Sequence, residues 1–376
     1  MRFPEFSGEW GKYKVSDFLE FFPTNSLSWD QLEYSGNDPL NLHYGLIHNG
    51  LPVQVEVFRD ALPSIKEEFF PKKFTICKDG DVAFADASED TNDVGKAVEF
   101  YNCAGKKIVC GLHTIHGRDK LELTSIGFKG YLFSSKVYHD QIKSIAQGTK
   151  VFSIKASNFD EVILGLPEKE EQGKISRLMM AIDERISTQS KIIKEQETLL
   201  KSLADKLISA QPANVALCEC VEAKSSTMKE SELESSGEFS VYGASGLCGF
   251  CRDALEESDS ILITKDGSGV GTCQYATEKH SFLGTLCSLT AKESVYLPYI
   301  YYALLNFNFA SYKTGQAIPH IYFKDYGKAT IYCPSYVEQI RIASGLKKLD
   351  AKINADIELL MQYRLQKEFL LSRMFI

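Results

Sequence analysis

The sequence predicts a mixed α/β chain (α+β) in which two domains are separated by two long helices paired as an antiparallel coiled coil, with an internal pseudo-twofold repeat. Three observations predict it. The stretch from Gly148 to Ile208 recurs from Gly315 to Phe375 at a constant offset of 167 residues without a gap. Each copy carries Pro-x-x-x-Glu-Gln-x-x-Ile, as Pro167 to Ile175 and as Pro334 to Ile342, ahead of a long helical pattern. Before each copy lie short β-like runs punctuated by Gly, Pro and Asp, the pattern of a mixed domain. Only nine of the 61 aligned pairs are identical, so the shared pattern carries the repeat.

From Glu9 to Leu166 the pieces are short. Phe18 to Phe22 is expected to close a short helix before Pro23. Gln54 to Phe58, Asp81 to Phe84 and Lys107 to Cys110 resemble strands, and Phe128 to Tyr138 reads as a helix start whose aromatic residues cover a core. A last strand around Glu161 to Leu166 delivers the chain to the first long helix. The domain spans about 150 residues, a typical size.

In that helix Ile175, Met179, Ile182, Ile186, Gln189, Ile193, Gln196, Leu200, Leu203 and Leu207 alternate spacings of four and three. This is an a/d heptad seam. The offset places Ile342, Leu346, Leu349, Ile353, Asp356, Leu360, Tyr363, Lys367, Leu370 and Met374 at the same positions of the second helix. The polar seam residues Gln189, Gln196, Asp356 and Lys367 lower stability but can set register.

Pro212 breaks the first helix, and Lys224 to Glu238 reads as a polar loop. Ser260 to Thr264 is a strand that leads into the turn Lys265-Asp266-Gly267-Ser268-Gly269-Val270-Gly271. The turn lacks the Gly-Lys-Ser/Thr ending of a nucleotide loop and has no dinucleotide fingerprint. An ordinary hairpin and a turn facing a nucleic-acid backbone both satisfy it. Tyr299 to Phe309 reads as a buried helix, followed by the loop Tyr312 to Ile321. Gly315 there matches Gly148, which suggests a required turn in both copies.

Composition bounds the class. No apolar run reaches membrane-spanning length and the N-terminal residues lack signal-peptide features, so the chain is expected to remain in the cytoplasm. Ten cysteines without such a signal read as reduced thiols in cores. A zinc site built on Cys248-x-x-Cys251 would need two more ligands converging on it, and the earlier pair Cys218-x-Cys220 has an atypical one-residue gap; His113-x-x-His116 lacks a zinc-protease Glu. No metal is expected from these motifs.

In this order, the elements resemble the specificity subunit of type I DNA restriction-modification systems. The resemblance covers essentially the whole chain: Arg2-Phe3-Pro4-Glu5-Phe6 with Glu9-Trp10, the two Pro-x-x-x-Glu-Gln-x-x-Ile helices, the Ser260 to Gly269 run, and Gly-Gln-x-x-x-x-Ile from Gly315 to Ile321. It implies a target-recognition domain at 1–166, a spacer helix at 167–210, a second recognition domain at 211–333 and a second spacer helix at 334–376. Each recognition domain would read one half of a split DNA target. Modification (methyltransferase) subunits would dock on the helices and bind S-adenosylmethionine, and restriction (endonuclease/translocase) subunits would complete the nuclease. The chain itself would bind no cofactor and catalyse nothing. It contains no Asn/Asp-Pro-Pro-aromatic methyltransferase motif, Asn37-Asp38-Pro39-Leu40 being a superficial echo.

Antiparallel pairing would put the two domains at opposite ends of a spacer. Residues 175 to 207 would span about 48 Å at 1.5 Å per residue, or roughly fourteen base pairs. Charge runs against DNA binding: the net charge is −8, and because the two helical segments carry no net charge and +2, the rest carries −10. Binding is therefore expected on local basic faces. In the first domain the candidates are Lys107, His113, His116, Arg118, Lys120 and Lys129, with Lys136, Lys143 and Lys150 beyond them. In the second they are Lys265, Lys279, His280, Lys313, His320 and Lys324. Lys and Arg would take phosphate, while Gln147, Ser268, Gln316 and some His would reach base edges.

Two other classes fit parts of the sequence. A protein-interaction scaffold without DNA readout suits the acidic balance. A hydrolase using Cys110 and His113, or a zinc enzyme, would need an exposed nucleophile beside its base.

Overall fold

The computed structural model describes residues 1–34, 38–315 and 318–376, and the chain divides into two compact units. Unit 1 comprises Met1–Thr188 and Leu360–Ile376; unit 2 comprises Gln189–Leu359. The fold is mixed α/β, with one long helix at Lys169–Ala204 and another at Tyr336–Arg373.

Unit 1 is built on a five-stranded sheet in the order Leu19–Phe22, Thr114–Asp119, Val82–Ala85, Ala97–Asn102, Gln54–Glu56; its last pairing is parallel and the others antiparallel. A four-stranded sheet, Ile108–Cys110, Leu40–Leu42, Ser64–Ile65 and Leu32–Glu33, stands beside it in sequence. Phe84, Phe128, Phe133, Tyr138 and Phe159 are fully buried in the main core. That core also takes Ile175, Met179 and Ile182 from the first long helix and Leu370, Met374 and Phe375 from the second. Apolar seam residues of both helices thus share one water-free cluster, the dominant reason this end of each helix is ordered.

Unit 2 repeats the frame with fewer strands. Its four-stranded antiparallel sheet runs Val221–Ser225, Leu286–Ala291, Ser260–Thr264, Cys273–Ala276, and a three-stranded sheet joins Gly246–Cys251, Phe239–Gly243 and His280–Phe282. The first strand of each main sheet follows a four-residue helix, Val15–Phe18 in unit 1 and Leu217–Cys220 in unit 2. In both units a two-stranded ribbon precedes it: Gly11–Lys14 with Ile163–Leu166, and Val215–Ala216 with Thr330–Ile331.

Several local expectations need correction. Phe18 to Phe22 is not helical to its end: the helix stops at Phe18 and Leu19–Phe22 is a strand, because Leu19 is buried and the run pairs with His116–Asp119. The Tyr299 to Phe309 helix runs instead from Leu297 to Leu304, with Pro298 in its first turn, where a missing N–H costs nothing.

Of the residues expected to pair the helices, Ile175, Met179, Ile182, Ile193, Leu200, Ile342, Leu346, Ile353, Leu360 and Leu370 are buried; Ile186, Leu203 and Leu349 are partly so. Leu207 is the exception, 41% exposed. There the helix widens into a π turn at Asp205–Ser209, with the Ala210 N–H donating to the Asp205 carbonyl at 2.8 Å. The extra residue per turn moves Ala204 and Ile208 to the inner face in its place.

The polar seam residues are bonded. Gln196 Nε2 donates to Asp356 Oδ2 at 2.9 Å and Gln189 Nε2 to the Asp356 carbonyl at 3.3 Å, both in unit 2. In unit 1, Lys367 Nζ lies 2.5 Å from Asp183 Oδ1. Shifting either helix by a residue would leave these groups unpaired.

Candidate nucleic-acid interface

The two motifs that sequence reasoning left open in unit 2, the Gly-rich turn and the Gly315 loop, meet. Lys265 accepts the Ile321 N–H at 2.9 Å through its carbonyl, and the Gly267 N–H donates to Pro319 O at 3.0 Å. His320 Nδ1 lies 2.6 Å from Asp266 Oδ1. The loop closes on itself through two bonds between Thr314 and His320, 2.9 and 2.8 Å.

Gly315 has φ +87°, and a Cβ there would sit 2.4 Å from the Ile318 carbonyl oxygen, so only glycine makes this turn. The result is a pinned double loop presenting exposed Ser268, Lys313 and Lys324, with Lys265 half-buried. Lys324 Nζ stands 5.2 Å from the ring of Tyr322, itself exposed. Gln316 lies outside the described residues.

Unit 1 contains the same loop. Gln147 and Ser153 exchange two backbone bonds, 3.1 and 2.8 Å, at positions 167 residues before Thr314 and His320. Gly148 has φ +144°, with a Cβ position 1.9 Å from the Val151 oxygen, again 167 before Ile318. The Ile154 N–H donates to Asp86 O at 2.9 Å, as that of Ile321 does to Lys265 O. Gln147 and Lys150 are exposed on this loop. His113, half-exposed with φ +53°, sets its Nδ1 3.1 Å from Asp86 Oδ1, next to the loop's anchor. Burial raises the Asp86 pKa, against the opposing pull of His113.

Three candidates are withdrawn as DNA contacts because they are buried. His116 Nε2 lies 2.8 Å from Asp81 Oδ2 inside the five-stranded sheet. Lys129 is enclosed with Glu99, 3.6 Å away, and donates to Thr124 Oγ1 at 2.7 Å. Its charge is offset in the core, where an unpaired ammonium would be costly. His280 is held between Ser260 Oγ, 2.9 Å, and Glu278 O, 3.0 Å.

Other candidates are occupied without being hidden. Arg118 clamps Asp81 through Nε at 2.8 Å and Nη2 at 2.6 Å. Burial alone would raise the Asp81 pKa, but Arg118 and His116 hold it below its ordinary value. Lys279 pairs with Glu257 at 2.6 Å, Lys136 with Asp140 at 2.6 Å, and Lys143 donates to Asn92 at 2.6 Å. Lys120 Nζ donates to Ser16 O at 3.0 Å, and in unit 2 Lys292, no sequence candidate, does the same to Cys218 O at 2.8 Å. Lys107 is exposed.

Sequence reasoning passed over Phe70-Pro71-Lys72-Lys73-Phe74. It lies outside helix and strand with Phe70, Lys72, Lys73 and Phe74 exposed, two adjacent lysines flanked by two rings, residue types that suit phosphate and base stacking. The interleaving of basic and aromatic residues was the available signal.

The cysteine motifs do not converge. Cys248 Sγ donates to Val241 O and Cys251 Sγ to Asp253 O, while burial raises the pKa of Cys248. Cys110 is buried, and the hydrolase pairing with exposed His113 has no exposed nucleophile.

The motif Pro-x-x-x-Glu-Gln has a structural job. Gln172 accepts the Ser125 N–H at 2.7 Å and donates to Pro167 O at 2.8 Å and Leu123 O at 2.9 Å; Gln339 accepts the Tyr296 N–H at 2.8 Å and donates to Pro334 O at 2.8 Å. Each glutamine thereby fixes its helix to the preceding domain. Arg2 forks onto Glu171 at 2.7 and 2.6 Å, which accounts for the opening motif, whereas Glu338 bonds Arg341 on its own helix at 2.6 Å.

Comparison with known proteins agrees with this geometry. Residues 215–359 match the family model of the type I restriction modification DNA specificity domain. Among solved structures, the type I restriction-modification system S subunit from M. genitalium is similar at 19% identity and TM-score 0.61, covering 98% of this chain and 96% of that one. A chain from a structural study of complex assembly and conformational transition of the type I R-M system is similar at 14% identity and TM-score 0.57, covering 97% of each. No curated protein matches. The chain thus carries, at residues 215–359, a match to the type I restriction modification DNA specificity domain, within a fold shared with a solved S subunit.

Proposed function

We propose that this chain is the specificity subunit of a type I restriction-modification complex: a non-catalytic reader of a bipartite DNA target. One half-site falls to each recognition domain, 1–166 and 211–333. The observation that carries this reading is the repetition, bond for bond, of the loop frame of the matched domain in unit 1, at Gly148 as at Gly315. A duplicated reader on paired helices is suited to a split target, and helix length then sets the spacer.

The helices also offer surface to modification subunits. Met361, Leu365 and Phe369, spaced by four, are 51%, 57% and 53% exposed, as a row awaiting a partner would be. Those subunits would supply S-adenosylmethionine chemistry, and restriction subunits the cleavage. The acidic balance of the domains supports a shared duty in which partner subunits provide basic surface. Among the described residues no helix is long and apolar enough to cross a membrane, in keeping with a chain acting on DNA in the cytoplasm.

The test is a heptad inserted into each helix, keeping the seam in register. With the cognate modification subunit, the methylated motif should keep both half-sites and gain spacer length. An unchanged spacer would refute the ruler, and loss of only the spacer's fixed length would show the helices no longer pair.

A further inference from the structure

Unit 1 holds a cluster that the DNA-reading role does not use. Cys77, Cys110 and His116 each present one donor atom, and these three atoms all lie within 4.8 Å of one another in a fully buried setting. The sulfurs of Cys77 and Cys110 are 3.6 Å apart. Nε2 of His116 is committed to Asp81, whereas its buried Nδ1 makes no bond of hydrogen-bond geometry, and besides Asp81 the side chain that interacts with the ring is the Cys77 thiol. An imidazole nitrogen without a partner in a core is costly unless something takes its lone pair.

We infer that Cys77, Cys110 and His116 form a metal site for a borderline-soft divalent cation, zinc being the best fit, with Nδ1 of His116 as the nitrogen ligand. Two sulfurs each about 2.3 Å from a tetrahedral zinc stand about 3.8 Å apart, close to the observed separation, whereas a disulfide needs about 2.05 Å. Asp81 on the far nitrogen of His116 is the outer partner that metal-bound imidazoles usually have, and Arg118 and the Lys78 N–H, 2.9 Å away, hold that carboxylate in turn. Among the described residues no fourth Cys, His, Asp or Glu joins the group, which leaves one position for water or a small ligand.

The ligands come from separate pieces of the fold. Cys77 precedes Val82–Ala85, Cys110 ends a strand of the four-stranded sheet, and His116 belongs to an inner strand of the five-stranded sheet. The ion would staple the two sheets of unit 1, with Cys110 lining a cleft that Lys73 and Phe74 also line. Among the described residues unit 2 has no equivalent: at the registers of Asp81 and His116 it carries Ser260 and Ser288.

The experiment is elemental analysis of the full chain, purified without a metal-affinity tag, together with X-ray absorption at the zinc edge and titration with cobalt(II) after chelation. About one zinc per chain, with two sulfur and at least one nitrogen neighbours and a thiolate-to-cobalt absorption band, supports the site. Both signals should vanish in Cys77→Ala/Cys110→Ala and persist in Cys248→Ala/Cys251→Ala, with circular dichroism reporting folding. If the first variant does not fold, the wild-type absorption edge still decides between this ligand set and another. Trace metal with no cobalt band, a Cys77–Cys110 disulfide by mass spectrometry, or zinc retained in the folded Cys77→Ala/Cys110→Ala protein would overturn the assignment.

Discussion

The two units share a frame and differ in what they hang on it. The shared parts are backbone-level: the glycine loop, the helix-anchoring glutamine, the short helix before the sheet and the lysine that donates to its carbonyl. Even a tyrosine recurs, with Tyr131 donating to Asp183 at 2.9 Å and Tyr302 to Asp350 at 3.2 Å, the acceptors 167 residues apart. The differences lie in side chains within the sheets. Unit 1 buries Asp81, His116, Glu99 and Lys129, while unit 2 places Ser260, Ser288 and Tyr275 at the registers of Asp81, His116 and Glu99. A frame that must present a loop to a ligand constrains backbone geometry, and its interior is free to be built from different chemistry.

The sharpest way to break this equivalence is at the glycines. Gly148→Ala and Gly315→Ala should each cost roughly 2–3 kcal/mol, because the new Cβ meets a carbonyl oxygen in a left-handed turn. Gly148→Ala should be the worse, and each should weaken one half-site only. Thermal melts with half-site methylation assays check both, and free tolerance at either glycine would end the parallel.

Next come the glutamines. Gln172→Ala and Gln339→Ala strand buried partners and should cost about 1–3 kcal/mol, with Gln172 the more expensive because its third bond goes to the Leu123 carbonyl at 2.9 Å, whereas that of Gln339 goes to the weaker acceptor Cys333 Sγ at 3.4 Å. Equal urea midpoints for the two variants would contradict that ranking.

The tyrosines refine the comparison further. Tyr131→Phe leaves Asp183 with Lys367, whereas Tyr302→Phe removes the hydrogen bond from Asp350, whose pKa burial already raises. Each should cost about 1 kcal/mol, Tyr302→Phe more. A carboxyl whose folded pKa lies above its unfolded value binds more protons when folded, so it favours folding as pH falls. The extra cost of Tyr302→Phe should therefore be full at neutral pH and shrink as pH drops through the raised pKa of Asp350 towards the ordinary carboxylate value. A pH-independent difference would rule out this cause. Smallest of all, Lys120→Met and Lys292→Met should each shift stability by no more than about 0.5 kcal/mol. A large loss of DNA methylation for Lys120→Met alone would show that it also holds phosphate.

Legibility in the sequence followed locality. The repeat, the heptad seams and the required Gly148 and Gly315 turns are periodic or local signals, so a single sequence displays them. Leu207 was misplaced because a π turn changes the helical period without changing the spacing of leucines. Phe18 to Phe22 was misread because strand pairing with residues 116–119 overrides a local helical pattern. Lys129 looked like surface because nothing near it announces Glu99, thirty residues earlier, as its partner. Cys77, Cys110 and His116 converge only through sheet topology, whereas the cysteines that stand close in sequence, Cys248 with Cys251 and Cys218 with Cys220, form no such group among the described residues.

The central claim is that the two frames read two halves of one DNA target. It is tested most directly by sequencing the methylome of a methylation-free host that expresses this chain with its cognate modification subunit. The account predicts a new split motif, two short half-sites separated by a fixed run of unspecified bases. No motif, from a modification subunit that is active with another specificity subunit, would contradict it and leave a protein scaffold as the better reading.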